Sequence, residues 1–107
     1  MNNAEPLYLF ADDQYLGQME TPLYDMWYID GRWTAHDSLV ATQFVELMQG
    51  QDVKHNMREW VGKYVEYATT MQGKRSPAIA YGFLEDLLVI RMLTHEETRE
   101  HVRKNSL

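Results

Sequence analysis

The spacing of apolar residues changes near Asp37, and this change constrains the fold more than any other feature of the sequence. Before it, short aromatic and aliphatic runs alternate with polar pairs, which is typical of strands joined by tight turns. After it, apolar residues recur every three or four positions, which is typical of amphipathic helices. The sequence therefore predicts an α+β fold: a small antiparallel sheet of three to four strands within residues 6–35, followed by three helices and a short terminal helix.

The first third contains four candidate strands, at residues 7–11, 14–20, 24–29 and 32–35. Asp12-Asp13 supplies a two-residue polar turn between the first two. This turn would pair Phe10 with Tyr15, an aromatic cross-strand pair, and Leu9 with Leu16. Thr21-Pro22 is expected to end the second strand.

Asp30-Gly31 lies between two aromatic runs and predicts the second hairpin. A type I′ turn needs positive φ at both central residues, and Asp-Gly adopts it readily. The resulting register would pair Ile29 with Arg32, Tyr28 with Trp33, and Trp27 with Thr34. Tyr28 and Trp33 would then share one face of the sheet, and Trp27 would lie on the other.

Three helices are predicted in the remaining two thirds of the chain. The first covers residues 39–49, begins at Asp37 or Ser38 as N-cap, and ends at Gly50. The second covers residues 52–72. The third follows Ser76-Pro77 and runs to about residue 90, although the β-branched residues within 87–93 also fit a strand.

Thr94 and Glu97 form a capping-box pattern, with threonine at the N-cap and glutamate three residues later. This pattern predicts a short polar helix that runs to about Arg103. His95 and His101 lie on that helix six residues apart, so they point to different faces and cannot bind one zinc ion as an i, i+4 pair would. No nucleotide-binding or nucleophile motif is present either, so the sequence predicts no catalytic, cofactor or metal residues, and an enzyme is the less favoured function.

A length of 107 residues predicts a single domain over residues 1–107, with frayed ends at 1–5 and 104–107. The chain has no cysteine, which excludes disulfide and thiolate chemistry. Neither a signal peptide nor an apolar run long enough to span a membrane is recognised, so a cytoplasmic protein without membrane partners is expected.

The negative charge is concentrated at one end of the sequence. Residues 1–37 carry seven acidic residues and one basic residue, whereas the acids and bases of residues 38–107 balance. Phosphate backbones attract the opposite charge, so nucleic acid is not expected as a partner. Mimicry of nucleic acid by the acidic third is a weaker alternative, for which a net charge of −6 is low.

Aromatic residues within this acidic third suggest a surface that binds another protein. Tryptophan and tyrosine give large rigid contact areas, and nearby acids would steer a basic partner. We therefore expect a small interaction or regulatory module that docks a basic protein surface, through three anchor rings and three acids: Trp27, Tyr28, Trp33, Asp25, Asp30 and Asp12. The third predicted helix is apolar on more than one side, so it is either central to the core or in contact with a second subunit, and the second alternative predicts a homodimer.

The alternative function is a small-molecule-binding protein or a minor enzyme. Its pocket would lie between the sheet and the predicted helix at 52–72. Trp60, Tyr64 and Trp33 would form the walls, and His36 or Asp25 would supply the polar group. The exposure of Trp27 and Trp33 would do most to separate anchor rings from core rings.

Overall fold

A computed structural model describes the backbone of residues 5–104 and the side chains of residues 5–100. The described chain forms a closed antiparallel barrel of six strands, in the order β1-β2-β3-β6-β5-β4, with three short helices. The predicted α+β fold, with an open sheet of three to four strands, is therefore wrong. The elements are β1 (Leu7–Ala11), β2 (Gln14–Asp25), β3 (Tyr28–Ala35), α1 (Leu39–Gln49), α2 (Val53–Glu59), β4 (Lys63–Ala68), β5 (Ser76–Leu84), β6 (Leu87–Met92) and α3 (His95–Lys104).

The first hairpin forms at the predicted turn. Asp12 and Asp13 adopt φ values of 50° and 67°, which aspartate tolerates better than most residues. Phe10 pairs with Tyr15 as predicted, and their ring centroids are 5.6 Å apart. A bulge then shifts the register, so Leu9 pairs with Gly17 and the predicted pairing with Leu16 is wrong.

The second hairpin turns at Met26-Trp27, so the turn predicted at Asp30-Gly31 is wrong, and so are the three pairs derived from it. β2 continues through Thr21-Pro22, where a bulge with φ of 44° at Thr21 replaces the expected break. Gly31 lies inside β3 for a steric reason: a Cβ there would come within 3.0 Å of the Glu20 carbonyl oxygen. This glycine serves a close approach between two strands rather than a turn.

Only the start of the predicted second helix is helical. α2 ends at Trp60, whose backbone is left-handed with φ of 59°. Gly62 then packs tightly on β5, because a Cβ there would lie 2.4 Å from Ile79 Cγ2. β4 follows and pairs with both β1 and β5, which closes the barrel. Its fully buried residues, Val65 and Ala68, are three apart, and this spacing resembles that of a helix.

The predicted third helix is also wrong: residues 76–92 form β5 and β6, and the strand alternative for residues 87–93 is confirmed in β6. The two strands are apolar without alternation because both of their faces are buried. Ala78, Ala80, Leu88 and Ile90 belong to one core cluster, whereas their neighbours Ile79, Tyr81 and Val89 join a second one with Val53 of α2. The apolar run that suggested a homodimer is therefore buried within one chain.

Two predicted helices are confirmed, with their caps. The Ser38 hydroxyl accepts a hydrogen bond from the Ala41 N–H at the start of α1, and Gly50 follows its last turn. At α3, Thr94 Oγ1 accepts from the Glu97 N–H while Glu97 Oε1 accepts from the Thr94 N–H, at 3.1 and 2.9 Å. The predicted fraying concerns residues 1–5 and 104–107, most of which lie outside the described residues.

Candidate functional site

The turn between β2 and β3 carries an apolar surface that we call the tip patch, formed by Leu23, Tyr24, Met26 and Trp27. These side chains are 68%, 56%, 82% and 49% exposed. Single exposed apolar residues are ordinary, but four within five consecutive positions concentrate exposed apolar side chains at one turn. The end of the hairpin is therefore the first candidate for a functional site.

The backbone of this turn does not favour the residues that occupy it. Met26 has φ of 60°, a region that glycine, asparagine and aspartate adopt at lower cost than a long side chain does. The turn is nonetheless fixed, because the Trp27 carbonyl accepts a 2.7 Å hydrogen bond from the Met92 N–H on β6. An apolar side chain is thus held in solvent at a position where the fold alone would favour a small polar one.

Arg91 lies beneath the patch and links it to the rest of the molecule. Its side chain is 10% exposed, and its guanidinium carbon is 4.2 Å from the centroid of the Trp60 ring and 5.9 Å from that of Trp27. Arg91 Nη1 also lies 3.4 Å from Glu97 Oε1 on α3. A cation between two rings attracts both, so Arg91 restrains Trp27 from its inner side.

The region beside Arg91 is apolar and buried. Tyr28 packs against Tyr81 with ring centroids 6.4 Å apart. Burial, reinforced by the neighbouring Tyr28, raises the pKa of Tyr81 to about 12. Among the described residues the Tyr81 hydroxyl has no hydrogen-bond partner. Tyr28 is therefore half-buried against Tyr81 beneath the end of the hairpin.

The hairpin is acidic as well as apolar. β2 and β3 together carry three acids and one base. Asp25 is exposed within the turn, and Asp30 is half-buried opposite Leu23. Glu20 accepts a hydrogen bond from the Gln18 side-chain amide further along β2. The two strands of the hairpin therefore carry a net negative charge.

The structure separates the six residues predicted to bind a partner. Trp27 and Asp25 lie in the turn, and Tyr28 and Asp30 follow directly in β3. Trp33 lies further along β3, where it packs on Phe44 of α1 at 5.5 Å between ring centroids. Asp12 lies at the opposite end of β2, in the first turn. Four of the six therefore meet at one end of the hairpin, and Trp33 and Asp12 belong elsewhere.

The residues of the predicted small-molecule pocket are not brought together. Trp60, Tyr64 and Trp33 line three different cavities, of about 600, 310 and 270 Å³. His36 is exposed, and its ring contacts that of Tyr15 in a tilted arrangement, with 4.9 Å between ring centroids. Within the described part of the chain these side chains do not line one pocket, and the helix predicted at 52–72 is the short helix α2 followed by the strand β4.

Sequence reasoning missed Leu23, Tyr24, Met26 and Arg91. A turn at Met26-Trp27 contains no glycine, proline or asparagine, so it carries none of the residues by which turns are recognised. Arg91 directly follows the residues predicted as the third helix and belongs to no binding motif. An aromatic run interrupted by methionine was the one available signal for the exposed turn.

Within the described residues, no group of three or more histidine, aspartate or glutamate side chains could hold a metal ion, and no helix is both long and apolar enough to cross a membrane. Comparison of the chain with protein families, curated proteins and solved structures found no match.

Proposed function

We propose that this chain is a protein-interaction module that docks a partner through the tip patch. The observation that carries the proposal is the exposure, between 49% and 82%, of four large apolar side chains within residues 23–27. The partner would present an apolar pocket with a basic rim. The proposal keeps the anchor Trp27 and the steering Asp25 of the sequence hypothesis and adds Leu23, Tyr24 and Met26. We further propose that the protein is cytoplasmic and that its partner is a protein with a basic surface.

Energetics support a binding role for the tip patch. Burying a large apolar side chain contributes roughly 1.5–3 kcal/mol, and this gain is unused while the residues face water. Tryptophan and tyrosine are enriched among the residues that dominate binding energy. Because Arg91 and the Met92 N–H restrain Trp27, less of its freedom would be lost on docking.

The geometry favours side-chain docking over strand addition. β2 extends beyond β1, so from Glu20 onward its outer edge has no strand neighbour among the described residues. However, Pro22 has no N–H to donate, and the bulge at Thr21 interrupts the edge. Both features block the pairing of a further strand. A partner would therefore contact the side chains of the turn.

The acids beside the patch define the chemistry of the partner. Asp25 is exposed at the turn, and no basic side chain precedes Arg32 in the hairpin. Complementary charge accelerates association and makes it sensitive to salt. We therefore expect Asp25→Asn to lower the association rate and weaken its salt dependence, with little change in the dissociation rate.

A photo-crosslinking experiment tests the proposal. A photoreactive phenylalanine analogue replaces Tyr24 in the full chain, the crosslinked protein is identified, and its affinity is measured with purified components. Met26→Ser and Trp27→Ala should each weaken binding by roughly tenfold or more. The matched control is Leu39→Ser, which removes a side chain 74% exposed on α1.

Two outcomes would overturn the proposal. One is a partner whose affinity falls as much with Leu39→Ser as with the two tip variants, because the patch would then have no special role. The other is association of the purified protein with itself that the tip variants abolish, since the occupant of the patch would then be a second copy of this chain. Sedimentation velocity of the protein alone, over a range of concentrations, separates the second outcome.

A further inference from the structure

A groove at the other end of β2 has the form of a small binding site. It has a volume of about 250 Å³ and lies between the first turn, α1 and the start of β4. We call it the α1 groove. Its lining consists of five apolar and three polar residues: Ala11, Leu16, Val40, Phe44, Leu47, Asp12, Gln43 and Lys63.

The walls of the α1 groove suit one large apolar group. Leu16 and Phe44 are buried at its base, and Val40 and Leu47 are half-buried along α1. Ligand pockets are typically apolar clefts with a few polar groups that fix the orientation of the bound molecule. This groove is slightly smaller than a pocket for a drug-sized ligand, so a single side-chain-sized group fits it best.

Two oppositely charged residues line the rim of the groove, and neither forms an ion pair within the described structure. Asp12 and Lys63 line the same groove, yet the ion pairs found among residues 5–100 join other residues. Gln43 is exposed beside them and offers both a donor and an acceptor. A ligand that carries an ammonium and a carboxylate close together would complement this rim.

The first turn and the start of β4 bring the two charged residues to the same groove. In the first turn, Asp13 is paired with Arg75, whose guanidinium also lies 3.9 Å from the centroid of the Phe10 ring. Asp12 is the acid that lines the groove. Lys63 follows Gly62, which packs closely on β5, since a Cβ there would lie 2.4 Å from Ile79 Cγ2.

We infer that the α1 groove binds a free α-amino acid with a large apolar side chain. The ammonium pairs with Asp12, the carboxylate pairs with Lys63, and the Gln43 amide adds a hydrogen bond to either group. The side chain inserts between α1 and the base of the groove. A residue within a peptide carries neither charge on its backbone, so a protein segment does not meet the same requirements. The site lies at the opposite end of β2 from the tip patch and does not depend on it.

Titration of the full chain with phenylalanine and leucine, followed by amide chemical shifts, tests this inference. Saturable shifts should appear at residues of the α1 groove. Two matched ligands each lack one charge: phenethylamine has no carboxylate and 3-phenylpropionate has no ammonium. Each should bind at least about tenfold more weakly, because each loses a charge-assisted contact. N-acetylphenylalanine amide, which lacks both charges, should show no saturable binding.

Two substitutions remove the charges without disturbing the fold. Asp12→Asn keeps a residue that tolerates positive φ, and Lys63→Gln keeps a long side chain in β4. Each should weaken phenylalanine binding roughly tenfold or more. Asp37→Asn and Lys54→Gln make the same changes at exposed positions outside the groove and should leave binding unchanged. The inference is overturned if neither amino acid gives saturable shifts, if the uncharged amide binds equally well, or if the two pairs of variants behave alike.

Discussion

β2 is flanked by a two-residue turn at each end, and the two turns contain opposite kinds of side chain. The first, Asp12-Asp13, is polar, has positive φ at both residues and is paired with Arg75. The second, Met26-Trp27, is apolar and exposed, although Met26 has a similar φ of 60°. The first turn has the residues that its geometry favours, and the second does not.

Backbone geometry explains the residues of the first turn but not those of the second. A turn with positive φ is most stable with asparagine, aspartate or glycine, so Asp12 and Asp13 need no functional explanation as turn residues. Methionine with this backbone conformation destabilises the folded state by about 1 kcal/mol. Because its side chain is exposed, burial of apolar surface does not offset this cost. The second turn is therefore where the sequence departs from what stability alone would select, which is common at functional sites.

The largest expected effect is on the free energy of unfolding, and it distinguishes two leucines of the same strand. Leu16 is 1% exposed and Leu23 is 68% exposed. Leu16→Ala should lower the free energy of unfolding by roughly 2–5 kcal/mol, whereas Leu23→Ala should change it by less than about 0.5 kcal/mol. Urea unfolding measures both. Similar losses from the two variants would show that the tip patch is part of the stabilising core.

The next effect concerns the buried residue Tyr81 beneath the second turn. Because the pKa of Tyr81 is raised from 10.0 to about 12, the folded state binds its proton more tightly than the unfolded state does. This contribution is complete below pH 10 and is lost as the pH rises from about 10 to 12, a difference of roughly 2–3 kcal/mol.

Tyr81→Phe removes the titrating hydroxyl and supplies the comparison. Below pH 9 it should equal or exceed the wild type in stability, by up to about 1 kcal/mol, because the buried hydroxyl has no hydrogen-bond partner among the residues that the structure describes. Between pH 10 and 12 it should lose less stability than the wild type. Urea unfolding across this range measures the difference, and parallel curves for the two proteins would contradict a raised pKa.

A smaller effect is expected in the first turn. Asp13→Ala removes the ion pair with Arg75 and puts alanine at φ of 67°, so the free energy of unfolding should fall by about 1–2 kcal/mol. Asp13→Asn keeps a residue suited to that backbone and should lose less than about 1 kcal/mol. Thermal unfolding of both variants at low and high salt separates the two contributions. Equal losses would mean that the backbone preference contributes nothing.

The smallest effect has the opposite sign. Met26→Asn should raise the free energy of unfolding by about 0.5 kcal/mol, because asparagine tolerates φ of 60° better than methionine does. The same variant should weaken partner binding, since it removes the most exposed side chain of the tip patch. Loss of stability in this variant would indicate that Met26 has a structural role and would remove the contrast between the two turns.

Local signals predicted only part of this fold correctly. The first hairpin, α1 and α3 follow from contacts within a few residues: a turn of two aspartates, a serine cap, and the box formed by Thr94 and Glu97. The prediction of the second hairpin is wrong because Asp30-Gly31 has the composition of a turn but lies within a strand. Gly31 is needed there because β3 passes close to Glu20.

The strands of the second half could not be recognised from periodicity. β5 and β6 contribute to two cores at once, so the alternation that identifies a strand is absent. In β4, the spacing of Val65 and Ala68 imitates a helix. The candidate site was found in part: Trp27 and Asp25 lie in it, whereas Leu23, Tyr24 and Met26 depend on a turn position that tertiary pairing with β6 fixes.

The closed barrel also determines how the chain must fold. β1, β2 and β3 pair with their neighbours in sequence. The second partner of β3 is β6, where Tyr28 pairs with Arg91, and the second partner of β1 is β4. During synthesis, the first three strands therefore emerge with both outer edges unpaired until much of the remaining chain has followed. Pairings between such distant residues form slowly, typically in milliseconds to seconds. The proline and the bulge in β2 protect a different edge, the part of β2 beyond β1, which has no strand neighbour among the described residues even after the barrel closes. They therefore hinder pairing with other chains during folding and afterwards.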